Sequence, residues 1–423
     1  MKVNILDFGA VAGGVVLNTE AIQKAIDEVS NAGGGKVVVP SGLFKSGTIW
    51  LKSNVELHLE AGAELLASDN MDDYNELDAF SQNYGSKNEK WVGKHFIIAL
   101  EAENCSITGF GKINGNLHSF VTKKDTPKEI IYCWCNGVIQ LRDEEKQRPG
   151  QLVCFIECKH VKVCDITIVD SPCWSCYLLG CEYAQIRGIK VMNPIWMVNA
   201  DGIDIDACRF VTVSDCIINT ADDAITLRAC EGYLKNKDMH CEYVTITNCV
   251  LSTGICAFRI GVGRGHIKHV RISNIVVRHC MDIIQLCTAY SPTCCVNIED
   301  VNFSNISAEN TDRCFDIFAK NGASIKDITI ENIRTSSAIV SKIEREDGSI
   351  DNVTVRNVEL KFADKVEEYP EIALRTRGDN LLLVDGASNV TFDKVKIMGG
   401  LRDVTKIFEA KNSENLVREN CNF

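Results

Sequence analysis

His160-Val161-Lys162-Val163-Cys164-Asp165-Ile166-Thr167-Ile168 and Phe210-Val211-Thr212-Val213-Ser214-Asp215-Cys216-Ile217-Ile218 are two copies of one pattern. Each holds two short β-rich runs with a small polar residue between them. Apolar and polar positions alternate with period two along each run, so one face turns inward and the other to solvent. The pattern returns near Tyr243, Ile267, Val296, Ile325, Ile350 and Val390. Most neighbouring copies are about 24–33 residues apart, a spacing that signals a solenoid. Asn stands between runs in Ser273-Asn274-Ile275 and Glu331-Asn332-Ile333, where an Asx side chain can bond the backbone of a tight bend. Stacked in successive coils, such Asn residues can satisfy one another as ladders. A β-sandwich would need hairpin turns between alternating runs, and those are scarce. The sequence therefore predicts an all-β fold, a single-stranded right-handed parallel β-helix with a short N-terminal capping helix.

Length alone would allow two or three ordinary domains in 423 residues, but a solenoid grows in one dimension. Seven prolines and no Pro/Ser/Gly-rich linker predict one continuous domain over 1–423, with the cap in about the first 50 residues and coils in the rest. Asn18-Thr19 reads as the cap of a helix carrying Ala21, Ile22, Ala25, Ile26 and Val29, stopped at Gly33-Gly34-Gly35. Such a helix would cover the open end of the core. The stretches near 69–94, 116–150 and 364–379 break the rhythm and read as loops forming the walls of a cleft.

A net charge of −12 argues against nucleic acid or an anionic membrane surface as partner. No apolar run approaches the roughly 20 residues needed to span a bilayer. Met1 leads into Val3-Asn4-Ile5-Leu6 without a basic and then apolar leader. The 21 cysteines are scattered, as core thiols in a reducing compartment would be. The expected location is cytoplasmic. Cys133/Cys135 and Cys173/Cys176 are each half of a zinc pattern that lacks its other half.

Chemistry concentrates in Val198-Asn199-Ala200-Asp201-Gly202-Ile203-Asp204-Ile205-Asp206 and, about one coil later, in Asn219-Thr220-Ala221-Asp222-Asp223-Ala224-Ile225. Neighbours one coil apart in a parallel ladder lie roughly 5 Å from each other. Asp201 and the pair Asp222/Asp223 can then form one cluster. Clustered carboxylates repel, so one keeps its proton as a general acid while another stays ionised to activate water. An isolated Asp-Asp is usually a solvated turn. Two acidic clusters one coil apart favour a functional site, and a Ca²⁺ site would collect the same groups.

Further motifs carry a family resemblance. Leu6-Asp7-Phe8-Gly9-Ala10, Gly34-Gly35-Lys36-Val37-Val38-Val39-Pro40-Ser41-Gly42 and Leu51-Lys52-Ser53-Asn54-Val55-Glu56-Leu57 look like the start of pectin-acting β-helix enzymes. Arg148-Pro149, Asp170-Ser171-Pro172-Cys173-Trp174, Asn199-Ala200-Asp201-Gly202 and Ala221-Asp222-Asp223 resemble polygalacturonases of glycoside hydrolase family 28. The resemblance implies inverting hydrolysis of an α-linked galacturonide or a related sugar. Asp222 matches the family's general acid, and Asp201 and Asp223 match the carboxylates that position and activate water. Asn199 matches the Asn of the Asn-Thr-Asp motif, and Asp204 a second Asp near the sugar.

The departures concern substrate. The family's Gly-Asp-Asp is Ala221-Asp222-Asp223 here. Its Gly-His-Gly should fall within Ser252–Gly261, which has no His. Its Arg-Ile-Lys should fall within Asp282–Cys287, where alternation puts Gln285 and Cys287 at the two cleft-facing positions. The charge-assisted carboxylate anchor is therefore missing. Either the sugar beside the scissile bond is not a standard galacturonate, or Arg228 or Arg259 supplies the charge; the alternative for both is a plain surface Arg. Trp174 reads as core and Trp196 as a residue of the cleft region. The expected partner is an oligosaccharide, with no cofactor and no metal. Competing readings are a lyase or epimerase on the same scaffold, or a non-catalytic carbohydrate-binding β-helix.

Overall fold

Val37, Leu57, Ile107, Val163, Ile186 and Val213 occupy one register position in six successive strands, and each is at most 1% exposed. Burial of each such side chain contributes about 1.5–3 kcal/mol, so a row of this kind is what holds one coil on the next. The computed structural model describes residues 1–124, 139–362, 378–400 and 404–423, and their strands form a parallel β-helix. Parallel crossovers of this kind are right-handed. The backbone divides into two compact units, one of residues 1–124, 139–222 and 233–239, the other of residues 223–232, 240–362, 378–400 and 404–423.

In the first unit the strands stack in three columns. The first comprises Lys2–Asn4, Gly35–Val39, Val55–Leu59, Ser106–Gly109, Lys162–Cys164, Glu182–Arg187 and Arg209–Ser214. The second comprises Gly42–Ser46, Ala63–Ala67, Lys112–Asn114, Thr167–Val169, Lys190–Met192 and Ile217–Asn219. The two runs of each sequence repeat are these two columns. A third column, Ile49–Leu51, Ile97–Leu100, Val153–Ile156, Cys176–Leu179 and Ile203–Asp206, does not show in the alternation. Its later strands are buried on both faces, which erases the period-two signal. The cover on its outer face is a second apolar layer, in which Phe80, Trp91, Leu234 and Met239 pack on Cys154, Ile156, Tyr177 and Leu179. The irregular stretch near 69–94 is thus a wall laid on the third column.

The helix Thr19–Asn31 buries Ala21, Ile22, Ala25, Ile26 and Val29, the stripe expected from sequence. Asn18 does not cap it. Its side chain instead accepts from Val11 N and donates to the carbonyls of Val11, Val16 and Lys45, fastening the preceding loop to the strand Gly42–Ser46. Asn18 is buried, and a loop with unpaired backbone groups costs more there than an open helix end. Gln23 covers the exposed edge of the first coil: its amide donates to Trp50 O at 3.0 Å and accepts from Trp50 N at 2.9 Å. A side chain thereby replaces the missing neighbouring strand. Among the described residues no helix is long and apolar enough to cross a membrane.

The second unit has long strands bent at an Asn, among them Cys295–Ala308, Ser324–Ser337 and Ser349–Phe362, stacked in one column. Asn248, Asn274, Asn305, Asn332 and Asn357 take up the bend with φ between 50° and 57°. From Asn274 onward each amide donates to the side-chain oxygen of the preceding Asn, at 3.4, 3.3, 3.2 and 2.7 Å along the row. This is the Asn ladder that the repeat implies. A further column of this unit runs through Ile225–Cys230, part of Cys256–Cys287, Thr311–Ala319, Ser341–Arg345, Asn380–Asp385 and Lys406–Lys411. The stretch near 364–379 falls almost wholly outside the described residues.

Candidate active site

The carboxylates stand on turns that lead from the second column to the third. In the first unit three successive turns are tied by a polar strut. Asn193 accepts from Ser171 N at 3.0 Å and donates to Ser175 Oγ at 2.9 Å and to Thr220 Oγ1 at 3.1 Å. Thr220 in turn donates to Ala200 O. Asn193, Ser175 and Thr220 are buried, so the geometry is fixed by bonds that water does not contest.

Asp201 and Asp222 meet across these turns. A carboxylate oxygen of one lies within 4.8 Å of a carboxylate oxygen of the other. Asp201 is only 2% exposed, whereas Asp222 keeps some contact with solvent. The backbone N–H of Asn199 donates to Asp222 Oδ2 at 3.0 Å. Asn199 has φ 57°, a left-handed conformation that Asn tolerates better than most residues and that aims this N–H. Its side-chain oxygen is the acceptor of Arg148 Nη2 at 2.9 Å. Arg148 enters on the short strand Arg148–Pro149, which pairs with Trp91–Val92. Two of the irregular stretches thus meet beneath the carboxylates.

Asp223 follows Asp222 directly, so their Cα atoms are about 3.8 Å apart. Within the second unit Asp223 is 2% exposed and bound on both oxygens. Oδ1 accepts from Cys256 N at 3.2 Å, and Oδ2 accepts from Arg259 Nε. Burial would lower the pKa of Arg259, but the Asp223 carboxylate outweighs it and holds the guanidinium firmly charged. Arg259 also donates to Gln285 Oε1 and lies 5.2 Å from the ring centre of Tyr290. A polar row continues beyond it: Gln285 donates to Asp282 at 3.4 Å, Asp282 faces Arg313, and Arg313 pairs with Asp316.

The five residues expected at the substrate end up in different places. Asn199 holds Asp222 through its backbone. Asp204 is fully buried on the outward side of Ile203–Asp206, level with Tyr177 one coil away. Arg228 is 9% exposed on Ile225–Cys230, just past a register shift. Arg259 is not a surface Arg, being 7% exposed and committed to Asp223. Gln285 and Cys287 do alternate outward, against the buried Ile284, Leu286 and Thr288. Trp174 is core, packed 5.7 Å from Trp91 and 5.2 Å from Tyr177, while Trp196 faces His118 at 5.9 Å.

Two carboxylates this close are also a donor set for a hard cation. Arg148 argues against that use, since its buried positive charge already acts on Asp222 and Asp201. The pair Cys173/Cys176 is buried and joins no group of three ligands among the described residues, and Cys133/Cys135 lies outside them. The polar strut at Asn193 and the part played by Arg148 were missed from sequence; the Arg148-Pro149 dipeptide was the one available signal.

Comparison with known proteins bears on the family and the fold. The chain is 26% identical over 231 residues to a probable polygalacturonase of Vitis vinifera, covering 53% of this chain and 44% of that protein. It is 28% identical over 260 residues to an exo-poly-alpha-D-galacturonosidase of Dickeya chrysanthemi, covering 54% and 42%. The alignments therefore span less than half the length of these curated relatives. Two solved structures share the fold: a family 28 exopolygalacturonase of Yersinia enterocolitica (TM-score 0.75, 21% identity, 98% of this chain and 78% of that one) and a hyperthermoactive exopolygalacturonase of Thermotoga maritima (TM-score 0.64, 20%, 99% and 92%). The sequence pattern of the glycosyl hydrolases family 28 matches residues 30–378, most of the chain, and the protein belongs to that family.

Proposed function

We propose that the protein hydrolyses a glycosidic bond in a galacturonide-related or other pectic oligosaccharide, with Asp222 as general acid and Asp201 and Asp223 holding and activating water. The observation that carries this reading is the contrast within the first pair. Asp222 is partly exposed and oriented by the Asn199 N–H, while Asp201 is covered and within 4.8 Å of it. An acid must reach the leaving oxygen, and repulsion between two carboxyls this close favours keeping a proton on the pair.

Inversion is taken from the family resemblance. Proton NMR of the first products decides: an α-linked substrate should yield the β-anomer, and an initial α-anomer would sink the inverting mechanism.

By the family resemblance Gln285 and Cys287 fall where cations would anchor a uronate, and Arg259 is engaged by Asp223 and Gln285. This supports a sugar at that position that is neutral or modified rather than plain galacturonate. Nineteen free thiols among the described residues support a reducing, cytoplasmic setting, where the substrate would be a short imported oligosaccharide.

A screen of the purified protein against pectic oligosaccharides and nitrophenyl glycosides, with Asp222→Asn as control, tests the proposal. Cleavage by the wild type and not by the variant is expected. Equal cleavage by both would remove the assignment, and ultraviolet absorbance from an unsaturated product would point to a lyase.

A further inference from the structure

Arg148 is fully buried, yet among the described residues no carboxylate lies within ion-pair distance of it. Nη1 donates to the carbonyls of Pro172 and Val198, the latter at 3.1 Å. Nη2 donates to Glu89 O and to Asn199 Oδ1, each at 2.9 Å. All four acceptors are uncharged, and Nε has no hydrogen-bond partner. A buried ion normally has a direct counter-ion, because an uncompensated charge in a low dielectric is expensive. Arg keeps its proton all the same.

The charged and titratable groups facing this guanidinium are Cys173, Glu89, Asp222 and Asp201. Cys173 is ruled out as counter-ion, because burial pushes its thiol far up and keeps it neutral. Glu89 is partly exposed and accepts from Trp91 Nε1 at 2.6 Å; its charge acts on Arg148 together with those of Asp222 and Asp201. Asp201 and Asp222 are the two that the Val198–Asn199 turn carries or contacts; carboxyls this close repel, and a nearby cation eases their charge.

We propose that Arg148 is a positioning residue for the Asp201–Asp222 pair, acting in two ways. Its planar fork fixes Val198 and Asn199, and so aims the Asn199 N–H at Asp222 and sets the turn that carries Asp201. Its charge, met by no direct ion pair, acts on the two carboxyls through space. What the pair does chemically rests on the glycosidase reading; the coupling itself does not.

A single charge acting over several ångströms of protein moves a carboxyl titration by about one pH unit. Removing the cation favours the protonated carboxyls, so both limbs of a bell-shaped pH–rate profile should move to higher pH together. Loosening of the fold alone would lower the rate without moving both limbs.

The test uses the full-length protein with ¹³Cγ-labelled aspartate, the Asp222 signal being identified by its loss in Asp222→Asn. In Arg148→Gln, which keeps donors but no charge, the Asp222 titration should rise by about one unit relative to wild type. An unchanged titration in a folded Arg148→Gln overturns the proposal. Arg148→Lys keeps the charge without the fork, so the titration should hold while kcat/KM falls at least about tenfold, as a misplaced catalytic pair does. If Arg148→Gln does not fold, Arg148→Lys decides: wild-type kcat/KM together with a wild-type titration overturns the proposal. Failure of the glycosidase reading would appear separately, as a titration shift in a protein that cleaves no glycan.

Discussion

The backbone N–H of Asn199 points at Oδ2 of Asp222 from 3.0 Å, in a turn fixed by the buried Asn193 strut. Asp222→Asn keeps the shape and the solvent contact of this side chain but removes its transferable proton. Turnover should fall by about 10²–10⁴-fold, the usual worth of a positioned acid. The melting temperature should stay close to wild type, because the Asn199 N–H can still donate to an amide oxygen. Steady-state kinetics with a thermal melt check both halves, and a large loss of stability would mean that Asp222 is chiefly structural.

Arg259 and Asp223 form a buried ion pair, and removing one partner strands the other. Arg259→Ala should cost about 3–5 kcal/mol in urea denaturation, and Asp223→Ala a similar amount. The double variant Arg259→Leu/Asp223→Leu should recover most of that stability while showing no turnover. Additive losses in the double variant would show that the pair is not coupled.

These two predictions concern residues that were legible in the sequence to different degrees. The carboxylates were visible because coil spacing brings residues about twenty positions apart into register, a purely local rule. Arg259 was visible as a charge near the cluster. Its commitment to Asp223 was not, since burial cannot be read from a residue type that is usually exposed. Arg148 bonds to Asn199, about fifty residues further on, and its turn is built by an irregular stretch with no period to follow. The third column was hidden for the opposite reason. Cys176–Leu179 and Ile203–Asp206 are buried on both faces, so the two-residue rhythm that revealed the other columns is absent. Asn18 shows a further limit: a helix-cap residue and a loop staple have the same sequence signature.

His160, Tyr183 and Phe210 stack at one outer corner, with ring centres 5.0 and 4.9 Å apart and planes within 11°. All three have φ of 56–58°, a conformation that bulky side chains rarely adopt. Stacking, worth about 0.5–1.5 kcal/mol per pair, offsets that strain. Tyr183→Asn loses the stack but suits the backbone, so stability should change by less than about 1 kcal/mol. Tyr183→Val loses both and should cost about 2 kcal/mol or more. Equal losses in the two variants, measured by denaturant melts, would show that the backbone conformation plays no part.

Asn305 sits mid-ladder, donating to Asn274 at 3.3 Å and accepting from Asn332 at 3.2 Å with φ 56°. Two contributions can be separated there. Asn305→Gly removes both side-chain bonds but keeps a backbone at ease with positive φ; partly exposed bonds of this kind are worth about 0.5–1 kcal/mol each. Asn305→Ala removes the same bonds and adds about 1–2 kcal/mol of left-handed strain. The Ala variant should therefore be the less stable of the two by about 1 kcal/mol, even though Gly loses more entropy on folding. If Asn305→Gly is instead the worse variant, backbone entropy outweighs conformational strain at this corner. The repeated choice of Asn over Gly along the row would then reflect chain stiffness more than the ladder bonds.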